Sequence, residues 1–193
     1  MILSKTSQRL IFGISALAVI LLLAGIEWSV GRSPLGPDGK FAFWEGDIWS
    51  SECSQRLADA YSFSHIGHGL IFFAILWLVA RKLPVGGRYL IAVVIEAGWE
   101  LLENSPLIIN RYREATMALG YSGDSIANSV SDVLMMSLGF FLAWRLPVWA
   151  SVLLLLAMEI GCALWVRDNL TLNVIMLIHP IDAIKEWQMA GRG

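Results

Sequence analysis

Five apolar runs, each close to the length that crosses a lipid bilayer, dominate this chain. A hydrocarbon core tolerates no unpaired backbone N–H or C=O, so a helical crossing needs about 20 consecutive, largely apolar residues. The runs cover about 10–28, 65–80, 89–105, 125–146 and 148–166. With their connections they use up most of the 193 residues, so we expect one all-α, polytopic membrane helix bundle over 1–193 with no separate soluble domain. Only 16% of the residues are charged, against about 25% in a soluble domain.

The first run, Leu10 to Ile26, follows Lys5 and Arg9 and exceeds the usual ~7–15-residue core of a signal peptide. Leu23-Ala24-Gly25 looks like the start of a lipoprotein cleavage box, but Ile26 stands where that box needs cysteine. We therefore expect an uncleaved span. Ser64 is placed to cap the second run, and Pro106 stops the third. Arg145-Leu146-Pro147 leaves room only for a tight turn between the fourth and fifth.

Basic residues in short loops mark the cytoplasmic side. Lys5 and Arg9 flank the first run, Arg81, Lys82 and Arg88 lie between the second and third, and Arg145 follows the fourth. The Gly31–Phe63 loop mixes both signs and is expected outside, with the Asn104–Asp124 loop and the tail. The N-terminus is then in the cytoplasm and the C-terminus out, in a bacterial cell inner membrane. Nine tryptophans, among them Trp28, Trp44, Trp149 and Trp165 near run ends, suit the interfaces. A net charge of −2 and the lack of a basic stretch exclude nucleic acid as a partner, leaving the lipid bilayer. Cys53 and Cys162 fall at different depths, which opposes a disulfide, and have no metal or redox spacing. In the tail, Ile181, Ile184 and Trp187 form one stripe of a short interfacial helix over about 180–189.

An ionisable residue at the centre of a span costs about 2.5–3.5 kcal/mol on insertion scales, so its position carries information. Glu96, Glu100 and Glu103 recur by four and three, on one helix face. Asp124, Asn128 and Asp132 recur by four and four, another single stripe. His65 and His68 share a face at the head of the second run. The orientation puts all three stripes at the outer end of their helices. Lipid does not accommodate them, so they are expected to surround one outward-opening polar pocket. His65, His68, Glu100 and Asp132 are the candidate acid–base residues. Glu96, Glu103, Asp124 and Asn128 are candidate binding groups, with Arg111 and Arg113 expected at the rim, where a guanidinium fork holds phosphate or carboxylate. Two imidazoles and several carboxylates are chemically able to hold zinc, but the spacing matches no zinc motif, so no metal and no cofactor is assigned. Each stripe also has a structural reading. The histidines would sit at a wet interface, the glutamates would pair with Arg111 or Arg113, and Asn128 and Asp132 would bond between helices. Glu159 is expected protonated or paired, Glu27 at an interface, and Asp168, Asp182, Lys185 and Glu186 solvated.

The stretches Glu96-Ala97-Gly98-Trp99-Glu100-Leu101-Leu102-Glu103-Asn104-Ser105-Pro106, Arg111-Tyr112-Arg113, Gly120-Tyr121-Ser122-Gly123-Asp124-Ser125-Ile126-Ala127-Asn128-Ser129 with Asp132, and Asp168-Asn169-Leu170-Thr171-Leu172-Asn173 resemble an uncharacterised family of alphaproteobacterial inner-membrane proteins. This resemblance covers nearly the whole chain and implies a multi-pass inner-membrane protein without supplying an activity. The Glu-rich helix, the Asp-x-x-x-Asn-x-x-x-Asp helix and Gly139 are also similar, over a short stretch, to VanZ-like membrane proteins, which implies an envelope role by analogy. Two functions fit: a pocket that binds or processes an anionic envelope lipid or lipid-linked intermediate, or a non-catalytic accessory, scaffold or proton-conducting bundle. No nucleotide loop and no Ser or Cys nucleophile motif is present.

Overall fold

The computed structural model describes residues 4–191, which form eight helices and no strand apart from a single bridge between Trp44 and Ala58. The long helices are α1 (Lys5–Ser29), α2 (Ser62–Val79), α3 (Val85–Glu103), then, after the short α4 (Pro106–Ala115), α5 (Ile126–Arg145) and α6 (Val148–Val166). The tail adds α7 (Leu170–Ile178) and α8 (Asp182–Met189). The side chains of Lys5 and Arg9 lie outside what is described.

Local chemistry sets the ends. Ser4 and Ser125 accept the Ser7 and Asn128 amides as N-caps of α1 and α5. Pro106 opens α4, where its missing N–H costs nothing. α2 starts earlier than expected. Tyr61, not Ser64, is its N-cap residue, and the Asp59 carboxylate holds the Tyr61 amide at 2.7 Å. The segment between α3 and α5 is not a plain loop, because α4 occupies about half of it.

α1, α2, α5 and α6 are long and apolar enough to cross a membrane. Their outward faces remain apolar, with Leu17, Leu21, Val148 and Leu164 among the exposed side chains. That pattern suits lipid rather than water. α3 matches α6 in length but carries Arg88, Glu96 and Glu100, and so falls short of that apolarity. It lies instead against α1, α2 and α5. Arg88, expected in a cytoplasmic loop, belongs to α3 and is buried, its guanidinium over the Phe73 ring.

Ala92, Val93, Val133, Met136 and Phe140 are completely buried between these helices and form the core with Leu23 and Leu76. The α2–α5 contact is the closest. A side chain on Gly69 would collide with the Met136 carbonyl and the Phe140 nitrogen, and one on Gly139 with the Ile66 carbonyl. Small residues let helix backbones meet in this way where lipid supplies no hydrophobic drive. The same contact brings the His65 end of α2 against the Asp132 end of α5.

The tail is packed more firmly than its sequence implies. Glu159 accepts the Leu170 and Thr171 amides at 3.1 and 3.0 Å, capping α7 from within α6 instead of pairing with another side chain. Asp168, expected in solvent, is buried and receives bonds from Tyr61, Gln188 and the Asn169 amide. Asp182 opens the last helix, two residues later than Pro180. Glu27, expected at an interface, is buried and accepts the Asn104 amide group at 3.0 Å. Cys53 and Cys162 are both free thiols.

Candidate functional site

At the end of the bundle where α2 and α5 begin and α3 finishes, the side chains enclose a cavity of about 270 Å³. His65, His68, Glu96, Glu103, Asp124, Asn128 and Asp132 all line it. These three separately spaced stripes therefore meet at one cavity. Glu100 sits behind the wall, fully buried, next to His65 and Asp132.

Glu96 is the hub. His65 Nδ1 lies 2.7 Å from its Oε1, and His68 Nδ1 lies 3.0 Å from both its oxygens. A residue with two acceptor atoms thus collects two imidazoles, whose rings meet edge to face. His65 also faces Glu100 at 3.5 Å through the same Nδ1 and Asp132 at 3.7 Å through Nε2. The longer contact exceeds hydrogen-bond length.

The rim is held by side chains that the spacing of apolar runs did not single out. Asn104 joins three elements: its amide nitrogen donates to Glu27, Asp124 and Ser129, and its oxygen accepts the Asp124 amide. The Tyr121 hydroxyl bonds both oxygens of Asp124 at 2.9 and 3.0 Å. Burial pushes the Asp124 carboxyl up to about 7, against the pull of the Tyr121 bond. Asn128 lines the cavity, yet its amide nitrogen is spent on the Arg56 carbonyl at 2.8 Å. It therefore fastens the long loop to α5.

The arginines stand differently from the expected rim. Neither Arg111 nor Arg113 lines the cavity. Arg111 bonds the Leu177 and Ile178 carbonyls, and Arg113 the Tyr121 carbonyl. Helix ends leave carbonyls unsatisfied, and a guanidinium fork fills that need. The glutamates likewise form no ion pair with either arginine among the described residues; their ionic partners are His65 and His68. His179 caps the end of α7, exposed and away from the cavity.

The rest of the lining is apolar and aromatic, and the Phe72 ring stacks on His68. Phe72, Ile95 and Trp99 come from α2 and α3, and Leu170, Val174 and Leu177 from α7. Tyr112 adds a hydroxyl that reaches Asn173 at 3.0 Å. The contribution of α7 was not legible, because a short apolar stretch after the last span reads equally as an interfacial segment.

A helical bundle with four helices apolar enough to cross a membrane and a buried histidine–carboxylate cluster at one end defines the class: an all-helical protein of membrane-protein character. Within that class, residues 27–190 match the family described as protein of unknown function (DUF2585), and the chain belongs to it. It is 49% identical over 174 residues to a UPF0314 protein of Paracoccus denitrificans, covering 90% of each chain. A UPF0314 protein of Rhizobium etli is 50% identical over 175 residues, 91% of this chain and 90% of its own. One from Sphingopyxis alaskensis is 49% identical over 176 residues, 91% of this chain and 94% of its own. No solved structure matches the chain.

Proposed function

We propose that this protein crosses the bacterial inner membrane five times, with α3 as the fifth span, and that its cavity opens outward. There it binds, and acts by acid–base chemistry on, the polar head of an envelope lipid or lipid-linked intermediate. The observation that carries this reading is the mixed lining of the cavity. Acids, imidazoles and phenols share one space with Phe72, Ile95, Trp99, Leu170, Val174 and Leu177. An amphiphile, with a hydrogen-bonding head and an apolar stem, suits such a space. α3 is acceptable as a span because Arg88, Glu96 and Glu100 are enclosed by protein and Glu103, at its end, faces the cavity.

With Arg111 and Arg113 spent on backbone carbonyls, none of the described lining residues is Lys or Arg, while four carboxylates, Glu96, Glu103, Asp124 and Asp132, face the cavity. We therefore shift the expected head from a bare anion to one rich in hydroxyl or ammonium donors. The proton-conducting reading has less support. Beyond Glu96 the bundle core is mainly Ala92, Val93, Met136 and Phe140, which relay no protons, beside the Tyr89–Ser137 hydroxyl pair and Arg88. The VanZ-like resemblance adds no weight, since the family that matches carries no assigned activity.

The test is mass spectrometry of lipids retained by the detergent-purified protein. Wild type is expected to retain one hydroxyl- or amine-headed amphiphile above its share of the membrane. Val174→Trp, which fills the apolar side, should lose it. Retention of bulk phospholipid in membrane proportions by both proteins would overturn the reading.

A further inference from the structure

We propose that His65, Glu100 and Asp132 form a site for a divalent transition-metal ion, zinc by its donor set, at the inner wall of the cavity. The site does not depend on which amphiphile the cavity takes.

Three helices each supply one ligand, His65 from α2, Glu100 from α3 and Asp132 from α5. One ligand atom from each lies within 4.8 Å of the others. Two donors bound to one zinc at about 2.0–2.2 Å stand roughly 3–4 Å apart. His65 Nε2 and Asp132 Oδ2 are 3.7 Å apart, too far to bond one another and close enough to share an ion.

The histidine is already arranged as metal-bound imidazoles are. A ligating histidine nearly always donates its other ring N–H to a carboxylate or carbonyl, which fixes the tautomer and the ring plane. His65 Nδ1 is 2.7 Å from Glu96 Oε1. A proton held there leaves the Nε2 lone pair pointing at Asp132.

The carboxylates supply the independent observation. Glu100 is 0% exposed, and neither of its oxygens has a hydrogen-bond partner. Asp132 is 4% exposed and its Oδ1 is likewise unpartnered. Buried acceptors are otherwise almost always satisfied, and a buried charge needs a partner. Among the described residues the only ionic partner of either is His65. A dication between them gives each carboxylate the partner it lacks and offsets both charges.

The neighbouring groups are already occupied. His68 bonds both oxygens of Glu96, and Tyr121 both oxygens of Asp124. One imidazole with two carboxylates is a borderline donor set that favours zinc over calcium or magnesium, which take oxygen ligands. Three protein ligands leave a coordination position free, and His65 and Asp132 border the cavity where it would open.

The experiment uses the full chain in detergent, stripped with a chelator and titrated with Co²⁺, then with Zn²⁺. One equivalent of Co²⁺ should bind with visible d–d absorption and be displaced by Zn²⁺. Glu100→Gln and Asp132→Asn should each weaken binding more than about 10-fold, and Glu96→Gln by about 10–100-fold with the Co²⁺ spectrum retained. Glu186→Gln, far from the site, should bind as wild type. His65→Cys should add an intense thiolate-to-cobalt band in the near ultraviolet, which a merely structural role cannot produce. Stripped wild-type protein that keeps its helical circular dichroism yet binds no Co²⁺ saturably would overturn the site. So would undiminished binding by Asp132→Asn. If the variants fail to accumulate, the wild-type titration decides alone.

Discussion

Asp168 shows how a single side chain reports the difference between a solvated tail and a docked one. Burial pushes its carboxyl up to about 6, partly opposed by bonds from the Asn169 amide, Tyr61 and Gln188. A raised carboxyl binds its proton more tightly in the folded state than in the unfolded chain. Its neutral form is therefore favoured, and folding loses stability as pH rises from about 4 to 6. We expect thermal melts in detergent to fall over that window and Asp168→Asn to flatten the slope. An unchanged slope in the variant would mean that Asp168 is solvated. Cys53 makes a related point. Burial pushes its thiol up, so it stays neutral and reacts slowly although it lies in a loop. Among the site residues, the stripes at Glu96, Asp132 and His65 were legible because helical periodicity needs only the local chain. Asn104 was not, since an Asn beside a helix stop looks like a cap until Glu27 and Ser129 are folded against it.

Between elements, the α2–α5 crossing decides whether a site exists at all. Its closeness rests on Gly69 and Gly139, each facing backbone rather than a side chain that can move aside. Overpacking a tight contact costs about 1–3 kcal/mol even where side chains adjust. Gly139→Leu is expected to exceed that range, lowering the melting temperature sharply or preventing accumulation. Gly161→Leu, where a side chain meets open space, should be tolerated. Equal behaviour of the two variants would refute the crossing. The long helices themselves were readable from apolar run length, four of them apolar enough to cross a membrane, and their ends moved. α4 and α7 were not readable as helices that matter, because Tyr112 and Leu177 gain their meaning from the cavity they line.

At the scale of the molecule, the long loop, α4, α7 and α8 gather at the end of the bundle that holds the cavity, and the Ala80–Pro84 and Leu146–Pro147 turns lie at the other. The proposed orientation makes the cavity end periplasmic. Cys53 is a poor reporter for the reason above, so Lys40, which is exposed on the same loop, is the better position. In a Cys53→Ser background, Lys40→Cys should react with a membrane-impermeant maleimide in cells whose inner membrane is intact. Labelling only after that membrane is opened would invert the topology and place the cavity in the cytoplasm.

The amino-acid sequence determined the all-helical class, the approximate long helices and their apolarity, and the three polar stripes. Each of these follows from length, apolarity or a period of 3.6 residues, all of which are local. Tertiary structure alone decided that Glu96 gathers both histidines, that Glu100 and Asp132 are left without donors, and that Arg111 and Arg113 turn to carbonyls. A side chain's partner depends on which helix faces it and at what depth. That register is set by the Gly69–Gly139 approach and by the Asn104 and Glu159 bonds, contacts between residues that no local pattern connects.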